Sequence, residues 1–481
     1  MPRLDPRPYI NGAHVDASTD ALLKVIDPFD DATLLELPDC DASDVHRAVG
    51  AARAAFDDGR WSGLSAAERA SCLRKLADLI EDRHDDLALI ESSDVGKPIS
   101  GTTGWDISNA ATMYRYYADL AESWAEDIEI PGASRAYEHR EPVGVVAAIV
   151  TWNFPFPCIS WKIGPALAMG CTVVVKPAER APLSAQALGQ LATEAGFPAG
   201  VLNIVTGSGA TAGTALVSDP RVDAITFTGG NDTASKLVRS SARHLPRTAL
   251  ELGGKGATFV WADADFEAAV AGAATAMFDV AGQNCCAGSR AFVHEKIADD
   301  FIAAVVEAAE RRALGDQLDD STEQGPQIDA AHVVRISAFV EEARAAGARI
   351  ITGGRTPEAL GGNFYAPTII EGATDDMRVA REEVFGPVGC IYRVSNDLEA
   401  AIAKANDTPY GLSGSIWSTD HDVLKRFVKA SRVGVCWVNT FGLFDPEVPW
   451  GGTRLSGYGR ELGHAALREF TTAKSVYWER T

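Results

Sequence analysis

The sequence predicts an α/β protein with two parallel-sheet domains and a small β arm. Short, wholly apolar runs alternate with helical stretches between residues 143 and 253, which is the pattern of buried parallel strands joined by helices. A second alternation begins at Asp263 and continues to about Asn439. The polar stretch 129–141 and the alternating stretch 469–478 fit neither series. They predict a hairpin arm and a strand that pairs with another element or subunit.

Length and composition narrow the class of protein. The chain has 481 residues, more than one hydrophobic core normally supports, so two or three domains are expected. With 46% hydrophobic and 23% charged residues, the composition is that of a globular protein. The net charge of −22 argues against binding to nucleic acid or to an anionic membrane, because both require basic patches.

The cysteines and the N-terminus indicate the compartment. The eight cysteines show no metal-ligand spacing, so no metal is expected. The N-terminus carries no apolar secretory segment, and the longest apolar run, residues 143–152, is too short to cross a bilayer. A cytoplasmic protein with reduced thiols is therefore expected.

The first third of the chain is predicted to be rich in helices. Asn11-Gly12 marks a hairpin turn. Apolar residues at helical spacing predict a helix over residues 43–56. Ser65, with Glu68 three residues later, forms a capping box that begins the next helix. A further helix is predicted from about Trp105 to Trp124.

Polar residues follow three of the predicted parallel strands, where ligands of such sheets bind. They are residues 151–153, Lys176 with Glu179, and residues 228–230. Glu179 could accept hydrogen bonds from both hydroxyls of a ribose and would repel a ribose phosphate, which favours NAD over NADP. A surface ion pair between Lys176 and Glu179 is the alternative. Residues 207–213, with the pattern GxGxxxG, are equally compatible with a structural turn and with a cofactor contact.

The stretch 278–290, FDVAGQNCCAGSR, contains a candidate nucleophile. A thiol among such small residues is either a nucleophile on a tight turn or a buried small hydrophobe. Glu251 could serve as a base and Asn153 as an amide donor. Because these are the other parts that an acyl-transfer site requires, they favour a reactive Cys285.

Nine motifs in one order resemble the aldehyde dehydrogenase superfamily over nearly the whole chain. They are TWNFPF, WKIGPALAMGCTVVVKPAE, FTGG, ELGGK, GQNC, EEVFGP, NDTPYGL, WVN and PWGGTRLSGYGRELG. The resemblance implies an NAD-dependent, non-acylating enzyme that oxidises an aldehyde to a carboxylic acid. It implies three structural parts: a Rossmann-like NAD-binding domain (1–124 and 143–253), a catalytic α/β domain (254–454), and an oligomerisation arm with the C-terminal segment (125–142 and 455–481).

The resemblance also assigns catalytic roles. Cys285 would form a thiohemiacetal and then a thioester, while the Asn153 amide and the Cys285 N–H hold the oxyanion. Glu251 would activate the water that hydrolyses the thioester. Lys162 is similar to a family lysine near the proton-relay path, and a lysine on a helix surface is the alternative.

Cofactor positions are implied in the same way. Lys176 and Glu179 would bind the adenine ribose, Gly229 the pyrophosphate, and Glu383 the nicotinamide ribose, with Phe385 packing nearby. The remaining implied cofactor residues are Thr151, Trp152, Gly209 and Leu252. The chain departs from the family pattern at Gly230, where serine is frequent, and at Val280, where asparagine is frequent.

By similarity, a mainly aromatic pocket would receive the substrate. Its predicted walls are Phe154, Cys158, Trp161, Phe444 and Trp450. Aromatic walls suit an aromatic aldehyde and, by cation–π attraction, an amino aldehyde. The sequence PWGG around Trp450 resembles the betaine- and aminoaldehyde-oxidising branch. Asp279 and Asp119 could place an anion at the mouth, the alternatives being a turn residue and a solvated helix residue.

The expected partner is a small-molecule aldehyde, and the arm implies a homodimer or a homotetramer. Two other functions stay open. One is an acylating enzyme that passes the thioester to coenzyme A, although such relatives tend to lack the base that Glu251 would supply. The other is an inactive family fold with a structural or binding role.

Overall fold

The computed structural model describes residues 2–131 and 136–478. Residues 132–135 of the predicted hairpin and 479–481 of the predicted C-terminal segment lie outside them. The strands are β1 Tyr9–Ile10, β2 Ala13–His14, β3 Leu22–Ile26, β4 Thr33–Pro38, β5 Asp127–Glu129, β6 Ala136–Pro142, β7 Val145–Ile149, β8 Thr172–Lys176, β9 Leu202–Ile204, β10 Ala224–Gly229, β11 Arg247–Leu252, β12 Ala257–Val260, β13 Arg290–His294, β14 Arg349–Thr352, β15 Thr368–Glu371, β16 Val388–Val394, β17 Ser413–Trp417, β18 Val435–Val438, β19 Gly457–Tyr458 and β20 Thr471–Tyr477. The helices are α1 Ala42–Asp57, α2 Ala66–Asp82, α3 His84–Val95, α4 Ile99–Gly101, α5 Ile107–Ser123, α6 Pro155–Ala168, α7 Leu183–Ala195, α8 Thr214–Ser218, α9 Asn231–Ser241, α10 Phe266–Phe278, α11 Ala298–Arg311, α12 Ala330–Ala345, α13 Arg378–Arg381, α14 Leu398–Asn406, α15 His421–Ala430 and α16 Gly463–Glu469.

The first sheet has the strand order β19-β11-β10-β7-β8-β9-β1-β2. Strands β11, β10, β7, β8 and β9 are parallel to their neighbours in this group. Every residue of β7 and β8 is buried, which explains their continuous apolar sequences. Their carboxyl ends carry the polar residues that the sequence pattern marks as ligand-binding positions.

The second sheet has the order β14-β15-β16-β13-β12-β17-β18. It is parallel except for the edge strand β14, which runs antiparallel to β15. All its strands lie between residues 257 and 438. The α/β fold class predicted from two alternating series is therefore confirmed.

The arm and the C-terminal strand form a third, antiparallel sheet of order β20-β6-β5. Strand β20 pairs with β6 from Thr471 opposite Pro142 to Tyr477 opposite Ala136. The shorter strand β19 pairs instead with β11 of the first sheet. The segment 455–481 is thus divided between two sheets, and the proposed domain boundaries and the oligomerisation role stay predictions.

Local signals position the elements around the site. Ser65 and Glu68 form the predicted capping box of α2. Helix α6 begins at Pro155, because proline suits the first helical position. Asn153 and Phe154 therefore lie directly before a helix. The largest apolar cluster joins α2, α5, α6 and β8, and extends to Trp437 and Trp450.

Candidate active site

A cavity of about 350 Å³ contains the residues with the most unusual chemistry. Cys285 and Glu251 both line it. All the predicted substrate-pocket residues also line it, namely Phe154, Cys158, Trp161, Asp279, Phe444 and Trp450. Residues remote in sequence are therefore brought to one cavity.

Cys285 lies on a tight turn that follows α10. Gly282 has φ +71°, and a Cβ at this position would lie 2.1 Å from the carbonyl carbon of Gly386, so only glycine fits. The thiol of Cys286, and then burial, raise the pKa of Cys285 well above its usual value. The thiol is therefore protonated near neutral pH and needs a base before it can act as a nucleophile.

The same turn contains two non-glycine residues in left-handed conformation. Val280 has φ +52° and Ala281 has φ +54°. This conformation is costly for a β-branched residue and better tolerated by asparagine, the residue frequent in the family at position 280. The turn that carries the thiol is thus under local backbone strain.

Asn153 holds the turn from the opposite side. It is only 3% exposed, and its Nδ2 donates to the carbonyl oxygen of Gln283 at 2.8 Å. An amide nitrogen has two hydrogens, so this bond leaves one N–H for another acceptor. The Asn153 side chain is thereby bonded to the residue two positions before Cys285, and its second N–H stays free to donate.

Glu251 has the properties of a buried base. Its side chain is 6% exposed, and Oε2 has no hydrogen-bond partner among the described residues. Burial, and after it the charge of Glu461, raise the pKa of Glu251 well above its usual range. A carboxylate with an unpaired oxygen and a raised pKa is a stronger base than an exposed glutamate, so Glu251 is a candidate proton acceptor.

Lys162 is fully buried, which excludes the helix-surface alternative. Its Nζ donates to Glu461 and, at 3.2 Å, to Oγ1 of Thr226. Sequence reasoning missed Glu461, although it lies in the recognised motif PWGGTRLSGYGRELG. A signal for this pair existed in the sequence. Glu461 and Lys162 both lie in family motifs, and a buried lysine requires an acidic partner.

The aromatic wall is larger than predicted. The ring centroids of Phe444 and Trp450 are 4.9 Å apart, and those of Trp161 and Trp450 are 6.0 Å apart. Trp105, which the motifs do not include, joins the wall 5.5 Å from Phe444 and 5.7 Å from Phe154.

An ion pair behind the wall was also missed. Lys97 and Asp106 are almost fully buried, pair with each other and line the cavity. Nζ of Lys97 lies 3.6 Å from the centroid of the Phe154 ring. One aromatic face of the wall therefore already carries a cation.

The two predicted anions at the mouth have different positions. Asp279 lines the cavity, with its carboxylate half exposed and 3.9 Å from Arg312. Asp119 lies on the surface of α5 and pairs with Arg74 at 2.6 Å. For Asp119 the alternative of a solvated helix residue is therefore the one the structure shows, because its helix turns it to solvent.

The strand ends of the first sheet form the predicted adenosine side. Lys176 is buried and donates to the carbonyl oxygen of Pro177 at 2.6 Å, and burial lowers its pKa to about 8. Glu179 accepts the backbone N–H of Gly209. No ion pair joins Lys176 to Glu179 in the described part of the chain, so the surface-pair alternative is not what forms. The turn at Gly209 instead fixes the Glu179 carboxylate.

The predicted nicotinamide side lies on the loop before β16. Glu383 accepts the N–H of Gly254 at 2.9 Å, and burial raises its pKa to about 7. A Cβ on Gly253 would lie 2.2 Å from the Glu383 carboxyl, so the glycine pair forms its seat. The rings of Trp152 and Phe385 meet edge to face at 5.3 Å.

Between these ends, the residues present fit a dinucleotide. No side chain within residues 2–131 or 136–478 caps the N-terminus of α9, and a Cβ on its first flanking residue, Gly230, would meet nothing within 4 Å. Such a helix end suits a pyrophosphate. Gly229, Thr151 and Leu252 lie at or just beyond the carboxyl ends of β10, β7 and β11. Carboxylates at both ends and an open helix terminus between them match the parts of NAD.

Comparison with known proteins decides the family. The pattern of the aldehyde dehydrogenase family matches residues 14–476. The chain belongs to the aldehyde dehydrogenase family. It is 42% identical over 475 residues to a betaine aldehyde dehydrogenase of Bacillus subtilis, covering 98% of this chain and 96% of the relative. It is 40% identical over 475 residues to a mitochondrial benzaldehyde dehydrogenase of Antirrhinum majus, covering 97% and 88%.

Solved structures agree. A betaine aldehyde dehydrogenase of Staphylococcus aureus in complex with NAD+ superposes with a TM-score of 0.95 at 36% identity, covering 98% of this chain and 94% of that one. An aldehyde dehydrogenase of Pseudomonas aeruginosa gives 0.96 at 38% identity, covering 99% and 97%. The predicted family, the aldehyde dehydrogenase fold and the assignment as an oxidoreductase are confirmed, and the predicted cofactor is the one in the Staphylococcus aureus structure.

The described residues contain neither a membrane-spanning helix nor a metal-binding cluster. No helix in residues 2–131 or 136–478 is both long enough and apolar enough to cross a membrane. No group of three or more His, Cys, Asp or Glu side chains in these ranges could hold a metal ion.

Proposed function

We propose that this aldehyde dehydrogenase oxidises aldehydes to carboxylic acids with NAD, through a thioester on Cys285 that water hydrolyses. The observation that carries the proposal is one cavity lined by a protonated thiol and by a carboxyl whose Oε2 is unpaired. A buried amide holds the same turn. When bound, NAD accepts the hydride that the aldehyde carbon gives up.

The first bond forms between Cys285 and the aldehyde carbon. The thiol loses its proton to a base of the cavity, and Glu251 is the candidate because its free carboxyl oxygen faces no other partner. The thiolate sulfur then attacks the carbonyl carbon, and the carbonyl oxygen becomes an oxyanion. The free N–H of Asn153 and the N–H of Cys285 stabilise that charge.

Loss of the hydride to NAD leaves a thioester, and the next bond to break joins the Cys285 sulfur to the acyl carbon. Glu251 first releases the thiol proton to solvent, and then takes a proton from water as the hydroxide adds to the acyl carbon. The C–S bond breaks, the carboxylic acid leaves, and Glu251 returns that proton to the Cys285 sulfur. The charge of Glu461 raises the pKa of Glu251, and the charge of Lys162 lowers it.

The wall supports aromatic or amino aldehydes as substrates. Flat rings of Trp161, Phe444 and Trp450 offer stacking to an aromatic aldehyde and cation–π attraction to an ammonium group. The names of two relatives, a betaine and a benzaldehyde dehydrogenase, support the same pair of classes.

The direct test mixes the purified protein with NAD, without coenzyme A. The aldehydes are benzaldehyde, trimethylammonioacetaldehyde and propionaldehyde, and NADH absorbance is followed. Turnover is expected in the wild type and in Cys286→Ala but not in Cys285→Ala. Activity that survives Cys285→Ala would contradict the mechanism. Equal kcat/KM for all three aldehydes would contradict the substrate preference.

The same assay separates the alternatives. A requirement for coenzyme A, with an acyl thioester as product, would favour the acylating enzyme. Binding of NAD without turnover of any aldehyde would favour an inactive fold. Glu251, unpaired at the cavity, supports hydrolysis over both.

We also propose a cytoplasmic homodimer or homotetramer built on the β20-β6-β5 sheet. Tyr477 and Trp478, at the end of that sheet, are 84% and 59% exposed, and such large apolar side chains suit an interface. Sedimentation of the intact chain and of a chain ending at residue 470 tests the assembly. An equal number of subunits in the two particles would contradict this role. Cell fractionation tests the compartment.

A further inference from the structure

Residues 327–335, which we call the junction segment, contact three loops that the proposed reaction uses. The segment precedes and begins α12. The family motifs quoted above do not include it. Its contacts are with the Cys285 turn, with the Glu383–Phe385 loop and with the loop that carries Glu179.

The contact with the Cys285 turn is made by the residues before α12. Nε2 of Gln327 donates to the carbonyl oxygen of Ala281 at 3.1 Å. The N–H of Ile328 donates to Oε1 of Gln283 at 2.9 Å. The strained residue Ala281 and the Gln283 side chain are thus both held by the junction segment.

The contact with the cofactor loop uses the first two turns of α12. Arg335 donates to the carbonyl oxygens of Glu383 at 2.8 Å and Val384 at 2.7 Å. Nε2 of His332 lies 2.6 Å from the carbonyl oxygen of Phe385. The three consecutive carbonyl groups of residues 383–385 are therefore all hydrogen-bonded to the side chains of Arg335 and His332.

His332 also packs against the rings at this end of the cleft. Its ring centroid lies 5.7 Å from that of Trp152 and 6.1 Å from that of Phe385. Burial lowers the pKa of His332 to about 4, so the ring is neutral at pH 7. A carbonyl can only accept, so the single N–H of the neutral ring is on Nε2.

The third contact reaches the adenosine side. The Asp329 carboxylate caps α12 by accepting the N–H of His332 at 2.7 Å. It also pairs with Nε of Arg180 at 3.0 Å, and Arg180 directly follows Glu179. One helix terminus therefore connects both ends of the cofactor cleft and the nucleophile turn.

We propose that the junction segment positions the cofactor loop relative to Cys285, with His332 and Arg335 as its positioning residues. The backbone of Phe385 supports this role, because a φ of +60° in a phenylalanine persists only where neighbouring contacts hold it. Without these bonds, the loop relaxes and the carboxyl of Glu383 leaves its seat on Gly253 and Gly254. The inference rests on the proposed function only for the identity of the cofactor.

The test uses the full chain with His332→Leu, His332→Gln, Arg335→Met and Arg344→Met. Arg344 is a matched control because it lies on the same helix, partly exposed and away from the loop. Hydrogen exchange is measured without cofactor at amides 383–386 and at the Gly254 amide, which donates to Glu383. It is expected to accelerate about tenfold in His332→Leu and Arg335→Met, as expected for the loss of one or two hydrogen bonds. His332→Gln retains an N–H donor and should restore protection.

Calorimetry then measures NAD binding to the same proteins without aldehyde. The Kd is expected to rise about tenfold in the two disruptive variants and to stay at the wild-type value in Arg344→Met. Arg335 is exposed, so Arg335→Met keeps the test available if His332→Leu does not fold. Unchanged exchange in both variants would overturn the proposal, as would faster exchange with an unchanged Kd.

Failure of the proposed function has a different signature. A wild type that binds NAD but turns over no aldehyde contradicts that function and leaves the binding result for the junction segment intact. A wild type that does not bind NAD contradicts both the function and the cofactor role of the segment. Hydrogen exchange is measured without cofactor and aldehyde, so its result does not depend on whether the protein turns over an aldehyde.

Discussion

The floor and the wall of the cavity are held together by different forces. The floor consists of Cys285, Glu251 and Glu461, and polar contacts from Asn153 and Lys162 hold it from behind. The wall consists of the rings of Trp105, Phe154, Trp161, Phe444 and Trp450, which hold one another mainly by packing. A polar group in the floor is defined by one or two atoms, whereas a ring in the wall shares its neighbours with several others.

This difference separates the expected effects of substitution. A change in the floor removes a charge or a donor that packing cannot replace, so the rate constants should fall steeply. A change in the wall removes contact area, so the choice among aldehydes should shift modestly. The same contrast distinguishes chemistry from recognition.

The largest effect is expected from Glu251→Gln, which keeps the volume of the side chain but removes the base. Steady-state turnover should fall about 100- to 10,000-fold, the usual contribution of a general base. The burst of NADH should fall as well, because Glu251 is also the proposed acceptor of the thiol proton. Stopped-flow absorbance measures both phases, with the exposed Glu267→Gln as control. A full burst without turnover would show that Glu251 acts only on the thioester.

Asn153→Ala should have the next largest effect. Removal of the oxyanion donor is expected to lower kcat about 100- to 1,000-fold, with a smaller change in KM. Asn153→Asp, which has the same shape but no N–H, should lose as much. Steady-state kinetics measure the loss. A rise in KM with an unchanged kcat would mean that Asn153 binds substrate without stabilising the oxyanion.

The charges beside Glu251 should move the pH profile in opposite directions. A base works as the carboxylate, so the rate falls as pH drops through its pKa. Glu461→Gln removes a charge that raises this pKa, and its acid limb should move to lower pH. Lys162→Met removes a charge that lowers the pKa, and its limb should move to higher pH. Shifts of the same sign in kcat profiles would contradict this electrostatic role.

Trp450→Leu should give the smallest effect and the most selective one. The kcat/KM for benzaldehyde and for trimethylammonioacetaldehyde is expected to fall about five- to tenfold, because a ring face is lost. Propionaldehyde, which is too small to stack, should change by less than about twofold. Trp261→Leu, near His294 and away from the cavity, is the control. An equal loss of kcat/KM for all three aldehydes would mean that Trp450 affects the chemical steps and not the choice of substrate.

Wall and floor also differ in how far the sequence predicts them. Most of the wall followed from family motifs, and strand ends located Lys176 and Glu179, because these are local patterns. Trp105 was missed because it lies in a helical stretch between motifs and reaches the wall only through the packing of α5 against α6. Local patterning does not contain that packing.

The missed polar partners have another physical cause. Glu461 meets Lys162 across almost 300 residues of chain, and His332 meets Phe385 through one carbonyl oxygen. Such contacts depend on the relative placement of two sheets, which neither segment encodes alone. The two readings of Asp119 stayed open in the sequence for a related reason, since helical phase decides that it faces Arg74 and not the cavity.

The pairing of β19 with β11 has a consequence for the synthesis of the protein. Glu251 lies opposite Gly457 in that pairing, and Glu461 follows four residues later. The ribosome completes the strand of the base long before it makes the segment that flanks it. A nascent chain that stops before residue 457 contains every residue named for the cofactor cleft but lacks Gly457 and Glu461, which lie beside the base. Products of premature termination should therefore be hydrolytically incompetent, and catalytic competence is acquired only at the end of translation.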